Sequence, residues 1–314
     1  MKPLGWTIIA VALVAAGLVL WRGPASQPRV DKTAAPAKTK QPAPPKTNVA
    51  STLHKLLEGG EMPKLTPEQL RVFVEKHKHD AGSLLVAWQL GHDNAWLDEA
   101  VQRYPDNPRV ALAKLSTFSE LNVEAKEWVE RLKQNDPQNS VGWCYEALSE
   151  FKFGSPETAR AALAEAAKRG RFDGYSKDSA PLLADAYRST GMDPLAAEVL
   201  GGFSVMLPQV STGMNVAREA IAKLGPALDD ATVQDILALA KAVRGADGTG
   251  YLITDLVSMS MERKTLDELS VLELVPGTKK FVAERTVELD EEKKLIKEFV
   301  AKSQPLLLSL DDSE

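Results

Sequence analysis

Residues 122–202 decide the fold of this chain: NVEAKEWVERLKQNDPQNSVGWCYEALSEFKFGSPETARAALAEAAKRGRFDGYSKDSAPLLADAYRSTGMDPLAAEVLGG. The stretch contains three successive helix-pair patterns. A small residue recurs on the second helix of each pair, at Ala125, Ala159 and Ala196, with spacings of 34 and 37 residues. A period of this length indicates a helical repeat, in which one helix pair cannot bury its apolar face alone and stacks on a neighbour.

Turn sequences close two of the pairs, YPDNP at 104–108 and KQNDPQN at 133–139. With these turns the helix pairs resemble tetratricopeptide repeats, whose pairs commonly close on an Asp-Pro-x-Asn-like turn. Ser140–Asp173 is the unit most similar to that family, with Trp143 opening its first helix and Ala159 at the close helix crossing. The next unit reproduces the Tyr-x3-Gly-x4-Ala spacing of the family at Tyr187, Gly191 and Ala196.

The chain departs from the family pattern in three places. Leu183-Ala184 stands where the family has Leu-Gly, Phe118 stands where tyrosine is expected, and Gly170–Lys177 contains a three-residue insertion. The resemblance therefore implies divergent repeats over about 110–130 residues. The predicted fold is all-α: a helical solenoid over residues 51–210, followed over 211–314 by further helices and an acidic tail.

The charge distribution argues against a nucleic-acid partner. Residues 1–50 carry seven Lys or Arg against Asp31 alone, so the formal net charge of −5 for the whole chain leaves −11 on the remaining residues. Binding to nucleic-acid phosphates needs clustered Lys and Arg on the binding face. An acidic body does not provide them, whereas the basic N-terminal segment suits a lipid headgroup surface.

The chain begins with an apolar segment, which predicts a single transmembrane anchor over residues 1–22. Leu4–Trp21 is an uncharged run of 18 residues with a tryptophan near each end. As a helix it would cross most of a bilayer's hydrocarbon core, at about 1.5 Å per residue. The alternative is a cleaved signal peptide, because Ile8–Leu20 has the length of a signal-peptide core. Gly23-Pro24-Ala25 is a poor cleavage site, and we favour a retained anchor.

Residues 23–50 predict a disordered Pro/Ala/Lys linker, because they include six prolines and almost no bulky apolar residues. As a polyproline helix the linker would span about 85 Å, at roughly 3.1 Å per residue. An apolar run followed by such a linker resembles bacterial signal-anchored envelope proteins. This resemblance implies a single-pass membrane protein with a periplasmic body. The positive-inside rule favours the opposite orientation, because Arg22, Arg29 and Lys32 follow the run.

No pattern typical of a catalytic, cofactor or metal site is present in the sequence. His77 and His79 are two residues apart on a predicted helix and so point about 200° apart, which prevents them from chelating one ion; we interpret them as a solvated helix end. Cys144 is the only cysteine, and we interpret it as a core residue. Residues 245–250 lack the Lys-Ser/Thr pair of a phosphate loop.

The resemblance to tetratricopeptide repeats implies a site for a protein or peptide partner, because the first helix of each pair lines the groove in that family. The residues that it places there are Asn107, Lys114, Phe118, Phe151, Lys152, Asp185 and Arg188. The basic side chains would suit an acidic peptide or a chain-terminal carboxylate, with the phenylalanines as apolar anchors. Alternatively both phenylalanines are core residues. The charge-rich segment Lys279–Ser303 either packs across the end of the repeats or docks a partner.

Two classes of function agree with these patterns. The first is a membrane-tethered scaffold that binds a protein or peptide in a helical-repeat groove. The alternative is an all-helical envelope enzyme or small-ligand-binding protein that uses clustered carboxylates. A deep pocket with converging carboxylates would favour the second class, and an open groove without them would favour the first.

We expect the apolar run to remain on the mature chain and to hold the protein at a membrane. The protein should stay in the membrane pellet after carbonate extraction, because a run of this length is stable in the hydrocarbon core. Release by carbonate, together with a new N-terminus at Ser26 or beyond on N-terminal sequencing, would establish cleavage instead. Protease treatment of intact and permeabilised cells determines on which side of the membrane the body lies.

Overall fold

The fold is described from a computed structural model that defines residues 63–205, 208–225, 228–245 and 252–308. These residues form thirteen α-helices and contain no β-strand, so the all-α prediction is confirmed. The helices are α1 (Pro67–Lys76), α2 (Ala81–Gly91), α3 (Asn94–Arg103), α4 (Pro108–Ser116), α5 (Val123–Asn135), α6 (Ser140–Phe153), α7 (Pro156–Arg169), α8 (Ser176–Ser189), α9 (Pro194–Phe203), α10 (Pro208–Leu224), α11 (Asp230–Gly245), α12 (Leu252–Ser270) and α13 (Pro276–Leu308).

Polar side chains determine where many of these helices begin. The Thr66 side chain accepts a hydrogen bond from the Gln69 N–H, and the Gln69 side chain accepts one from the Thr66 N–H, which forms the predicted capping box of α1. Each cap satisfies backbone donors that a helix start leaves unpaired. The other residues with a capping side chain include Asp80, Asp93, Asn107, Asn122, Asn139, Ser155 and Asp193.

Neighbouring helices pack in pairs, as a helical repeat requires: α2 with α3, α4 with α5, α6 with α7, and α8 with α9. The recurring alanines Ala125, Ala159 and Ala196 are all fully buried on the second helix of their pairs. The close crossing within α8–α9 also depends on Gly201, where an added Cβ would lie 2.6 Å from the Ala184 backbone nitrogen. Small residues therefore allow these helix axes to approach, because a larger side chain would force them apart.

The spatial order of the pairs differs from their order in the chain. In a simple solenoid α8–α9 would stack on α6–α7. Instead α10 packs on α6 and α11 packs on α7, whereas α8 packs on α1 and α2. The expectation that the three units of residues 122–202 stack one after another is therefore corrected: the third unit returns to the N-terminal end of the body.

Three hydrophobic cores reflect this order. The N-terminal core joins α1, α2 and α3 with buried side chains of α8 and α9, among them Leu183, Tyr187 and Leu200. The central core joins α4, α5, α6, α7, α10 and α11 with Phe172 and Tyr175. The C-terminal core joins α11, α12 and α13. Residues far apart in sequence thus complete each other's burial, and α8–α9 belongs with the N-terminal helices.

Residues 170–175 form the linker that redirects the chain. Phe172 is fully buried in the central core, and a Cβ at Gly213 of α10 would lie only 3.3 Å from its ring. Tyr175 has φ 60°, a left-handed conformation that costs an aromatic residue about 1–3 kcal/mol. The linker coincides with the three-residue insertion in the repeat period, so the extra residues are the physical means by which α8 leaves the stack.

Asn139 holds this linker in place from the start of α6. Its side-chain amide donates to the Asp173 carbonyl oxygen at 2.8 Å and to the Tyr175 hydroxyl at 3.2 Å, and its Oδ1 accepts from the Asp173 N–H at 3.0 Å. The Tyr175 hydroxyl donates to Asp136 at 2.7 Å. Burial raises the pKa of Tyr175, so this donor stays protonated. Because Asn139 is fully buried, each lost bond would leave a polar group unsatisfied.

Among the described residues, no helix is both long enough and apolar enough to cross a membrane. The predicted anchor at 1–22, the predicted linker at 23–50 and the start of the folded region at 51–62 all lie outside those residues.

We expect Asn139→Ala to lower the free energy of unfolding by about 3 kcal/mol, because it removes a helix cap together with a buried hydrogen-bond network. Asn107→Ala is the matched control. Asn107 caps α4 by the same bond to the residue two positions on, and its loss should cost about 1 kcal/mol. Urea unfolding followed by circular dichroism measures both, and equal losses would show that the network adds nothing to the cap.

Candidate partner-binding surface

The structure places Lys114 and Phe118 together at the C-terminal end of α4, whereas Asn107 lies at its N-terminal end. Asn107 is half-buried and caps α4 by accepting from the Arg109 N–H at 2.9 Å. Lys114 lies 3.5 Å from the Glu124 carboxylate, and its ammonium is 5.3 Å from the centre of the Phe118 ring. Phe118 is partly buried against the central core. Of these three, Lys114 and Phe118 therefore offer a surface for contact.

On α6 the structure separates the two neighbouring residues that were proposed together. Phe151 is 4% exposed and belongs to the central core, so it is not available as an anchor. Lys152 is exposed and makes no ion pair with another described residue. Phe153 is not among the residues that the resemblance to tetratricopeptide repeats places in the groove, yet it is 60% exposed. The signal was present in the sequence, because Val141, Cys144, Leu148 and Phe151 share the helical spacing of a buried face and Phe153 does not.

Asp185 and Arg188 of α8 lie at the N-terminal end of the body, away from their expected position beside the second unit. Asp185 binds His77 Nε2 at 2.9 Å and Lys76 Nζ at 3.1 Å, both at the end of α1. Arg188 is 3.9 Å from the same carboxylate. Burial raises the pKa of Asp185, but the hydrogen bonds and charges of His77 and Lys76 outweigh it and hold that pKa below its usual value. Asp185 therefore fastens α8 to α1.

The two histidines are more than a solvated helix end. His79 Nδ1 lies 2.8 Å from Glu99 of α3, just as His77 binds Asp185 of α8. Both rings are half-buried. They bind different carboxylates, and within the described ranges no group of three potential ligands is placed to hold a metal ion. In this geometry each histidine joins two parts of the N-terminal body.

Two exposed apolar side chains lie at the same end of the helix pair α5–α6. The ion pairs Lys126–Glu150 at 3.3 Å and Lys133–Glu146 at 2.8 Å show that these helices run antiparallel. In this register Val123, three residues before Lys126, lies at the same level along the helix axes as Phe153, three residues after Glu150. Val123 is 86% and Phe153 is 60% exposed. We call Val123, Lys152 and Phe153 the α5–α6 edge. It combines an apolar contact area with a free ammonium group, which suits an apolar side chain flanked by a carboxylate.

Three carboxylates of α12 and α13 converge on one arginine. Arg285 of α13 binds Glu262 of α12 through two bonds of 2.7 and 3.1 Å, and it also reaches Glu288 and Glu292. The hydrogen bond to Glu262 raises the pKa of Arg285, so the cation stays charged. Since Glu262 is 3% exposed and already paired, this group stabilises the C-terminal core and is not arranged for acid–base catalysis.

The crevice beside this ion pair is small. Gly213, Met214 and Ala217 of α10 line one side, and side chains of α11 and α12 line the other. Its enclosed part has room for a water molecule and not for a substrate. Cys144 is fully buried, and burial raises its thiol pKa, so it is not a nucleophile. Neither this crevice nor Cys144 therefore provides a catalytic site.

No protein-family model matches this chain, and no curated protein or solved structure is significantly similar to it. The class that the structure itself defines is an all-helical protein whose helices pack in neighbouring pairs, which is compatible with a helical repeat.

We expect Arg285→Met to lower the free energy of unfolding by about 3 kcal/mol or more, because it leaves the buried Glu262 carboxylate without its partner. Arg263→Met is the matched control, since Arg263 joins the same two helices through Asp290 but that carboxylate is 59% exposed. Its loss should cost less than about 1 kcal/mol. Urea unfolding compares the two variants. Similar losses would contradict the role given to the buried pair.

Proposed function

We propose that this protein is a membrane-tethered interaction scaffold and that its helical body binds a peptide segment of a partner protein at the α5–α6 edge. The observation that carries the proposal is the exposure of Val123 and Phe153 at the same end of the α5–α6 pair, together with Lys152, which makes no ion pair with another described residue. Apolar side chains left in water gain free energy when a partner covers them, at about 25 cal/mol per Å².

The charges around the edge support an acidic peptide. The carboxylates of Glu124 and Glu150 are already paired with Lys114 and Lys126. Lys152 is left to pair with a carboxylate of the partner, either an Asp or Glu side chain or a chain terminus. The Phe118 ring, with Lys114 over it, provides a second apolar and basic position in the preceding unit. The ligand is therefore a short segment with an apolar anchor followed by negative charge.

The tether is the second part of the proposal. The apolar run Leu4–Trp21 supports insertion in a membrane, and the six prolines of residues 23–50 support a linker that lifts the body away from the headgroups. The similarity to signal-anchored envelope proteins supports a periplasmic body. A helical body that is tethered to the membrane by the linker stays within a limited volume near it, which raises the effective concentration of the body for partners there.

We expect fluorescently labelled peptides with one Leu or Phe anchor and flanking Asp or Glu to bind the full-length protein in detergent, as measured by anisotropy. Phe153→Ser should weaken that binding at least tenfold, because a central aromatic anchor contributes about 2 kcal/mol or more. Lys152→Glu should weaken it more strongly at low salt than at high salt, because salt then screens a repulsion instead of an attraction.

The matched control is Val271→Ser, because Val271 is equally apolar and 82% exposed but lies after α12. It should leave peptide affinity unchanged. All three substitutions are on the surface and should change the free energy of unfolding by no more than about 0.5 kcal/mol. Equal affinity of wild-type protein and Phe153→Ser would remove the α5–α6 edge from the proposal.

A further inference from the structure

The pair α8–α9 is inserted between two helix pairs that pack directly on each other. The chain leaves α7, forms α8–α9, and then returns to place α10 on α6 and α11 on α7. The extensive helix contacts of α8–α9 outside the pair are with α1 and α2. The stack of α4–α7 with α10–α13 is therefore continuous without α8–α9, which lies across the N-terminal helices like a strap. We call α8–α9 the strap.

Apolar and polar contacts hold the strap closed. Leu183, Tyr187 and Leu200 are fully buried in the N-terminal core. In the C-terminal half of α8, the Asp185 carboxylate accepts a hydrogen bond from Lys76 Nζ and pairs with His77 at the end of α1. The Gln89 amide of α2 donates to the backbone carbonyl of Ser204, just after α9. These polar contacts, one from within α8 and one just after α9, supplement the apolar interface.

Two features oppose closure at the start of the strap. Tyr175 keeps its left-handed backbone directly before α8. Arg109 of α4 lies beside Gly82 and Leu182, and its Nε is buried without a hydrogen-bond partner. Burial lowers the pKa of Arg109, while the charges of Asp178 and Asp80 act in the opposite sense. A desolvated cation with an unsatisfied nitrogen weakens the contact that buries it.

We propose that α8–α9 is a releasable strap, which opens as one unit about the linker 170–175 while the stack of α4–α7 and α10–α13 stays folded. Opening uncovers the apolar face of α1 and α2 that Leu183, Tyr187 and Leu200 now cover. The strap is closed in the ground state, because those side chains are fully buried. Release is a conformational device by which this protein can present a second apolar surface, separate from the α5–α6 edge.

Hydrogen exchange on the full-length protein, followed by mass spectrometry, tests the strap. Backbone amides of 176–203 should exchange through a local opening at least tenfold faster than those of α6 and α7. Asp185→Ala should accelerate exchange in the strap about tenfold further, because it removes both bonds to α1, and it should leave α6 and α7 unchanged.

Glu99→Ala is the matched control. Glu99 of α3 also binds a histidine and a basic residue, His79 in the turn after α1 and Arg103 within α3 itself, but neither bond involves the strap. It should change exchange in the strap less than Asp185→Ala does. The proposal is overturned if the strap and α6–α7 exchange at the same rate through global unfolding, or if Asp185→Ala accelerates both regions equally.

Discussion

The packing of this protein depends on the hydrogen bonds that one buried asparagine, Asn139, makes to the six-residue linker 170–175. Asn139 binds the backbone of Asp173 through both its donor and its acceptor atoms, and the same side chain meets the hydroxyl of Tyr175. Ser140 adds a backbone bond and a hydroxyl bond to the Arg171 carbonyl oxygen. These bonds join two turns that are 34 residues apart. They hold Tyr175 in a backbone conformation that an isolated tyrosine would rarely adopt.

From that constraint follows the order of the helix pairs. The linker turns the chain away from α7, so the apolar face of α8–α9 is buried against α1 and α2. The surface of α6–α7 that a simple solenoid would cover with α8–α9 is covered by α10–α11 instead. The N-terminal and central cores then contain helices from distant parts of the chain. The N-terminal helices cannot complete their burial without the strap, which is why a pair so far along the sequence belongs to them.

Buried polar groups in this protein have two distinct effects. The Asn139 network and the Glu262–Arg285 pair are well bonded, so they specify how elements meet. Arg109 lacks a partner for one buried nitrogen, and it lies where the strap meets α2 and α4. One unsatisfied polar atom thus lies beneath the element that we propose can move.

The sequence by itself determined the helices, their caps and turns, and the alanines at the close crossings, because those features depend on contacts within a few residues or on one helical period. It also contained the insertion at 170–177, although the period alone did not say what the extra residues do. The helical spacing of α6 also distinguishes the buried Phe151 from the exposed Phe153, although the resemblance to tetratricopeptide repeats pointed to Phe151 as the anchor. Only the tertiary structure decided which pair stacks on which, because helical periodicity shows that a face is buried and not which partner covers it. The contact of Asp185 with His77, 108 residues away, has no local signal for the same reason.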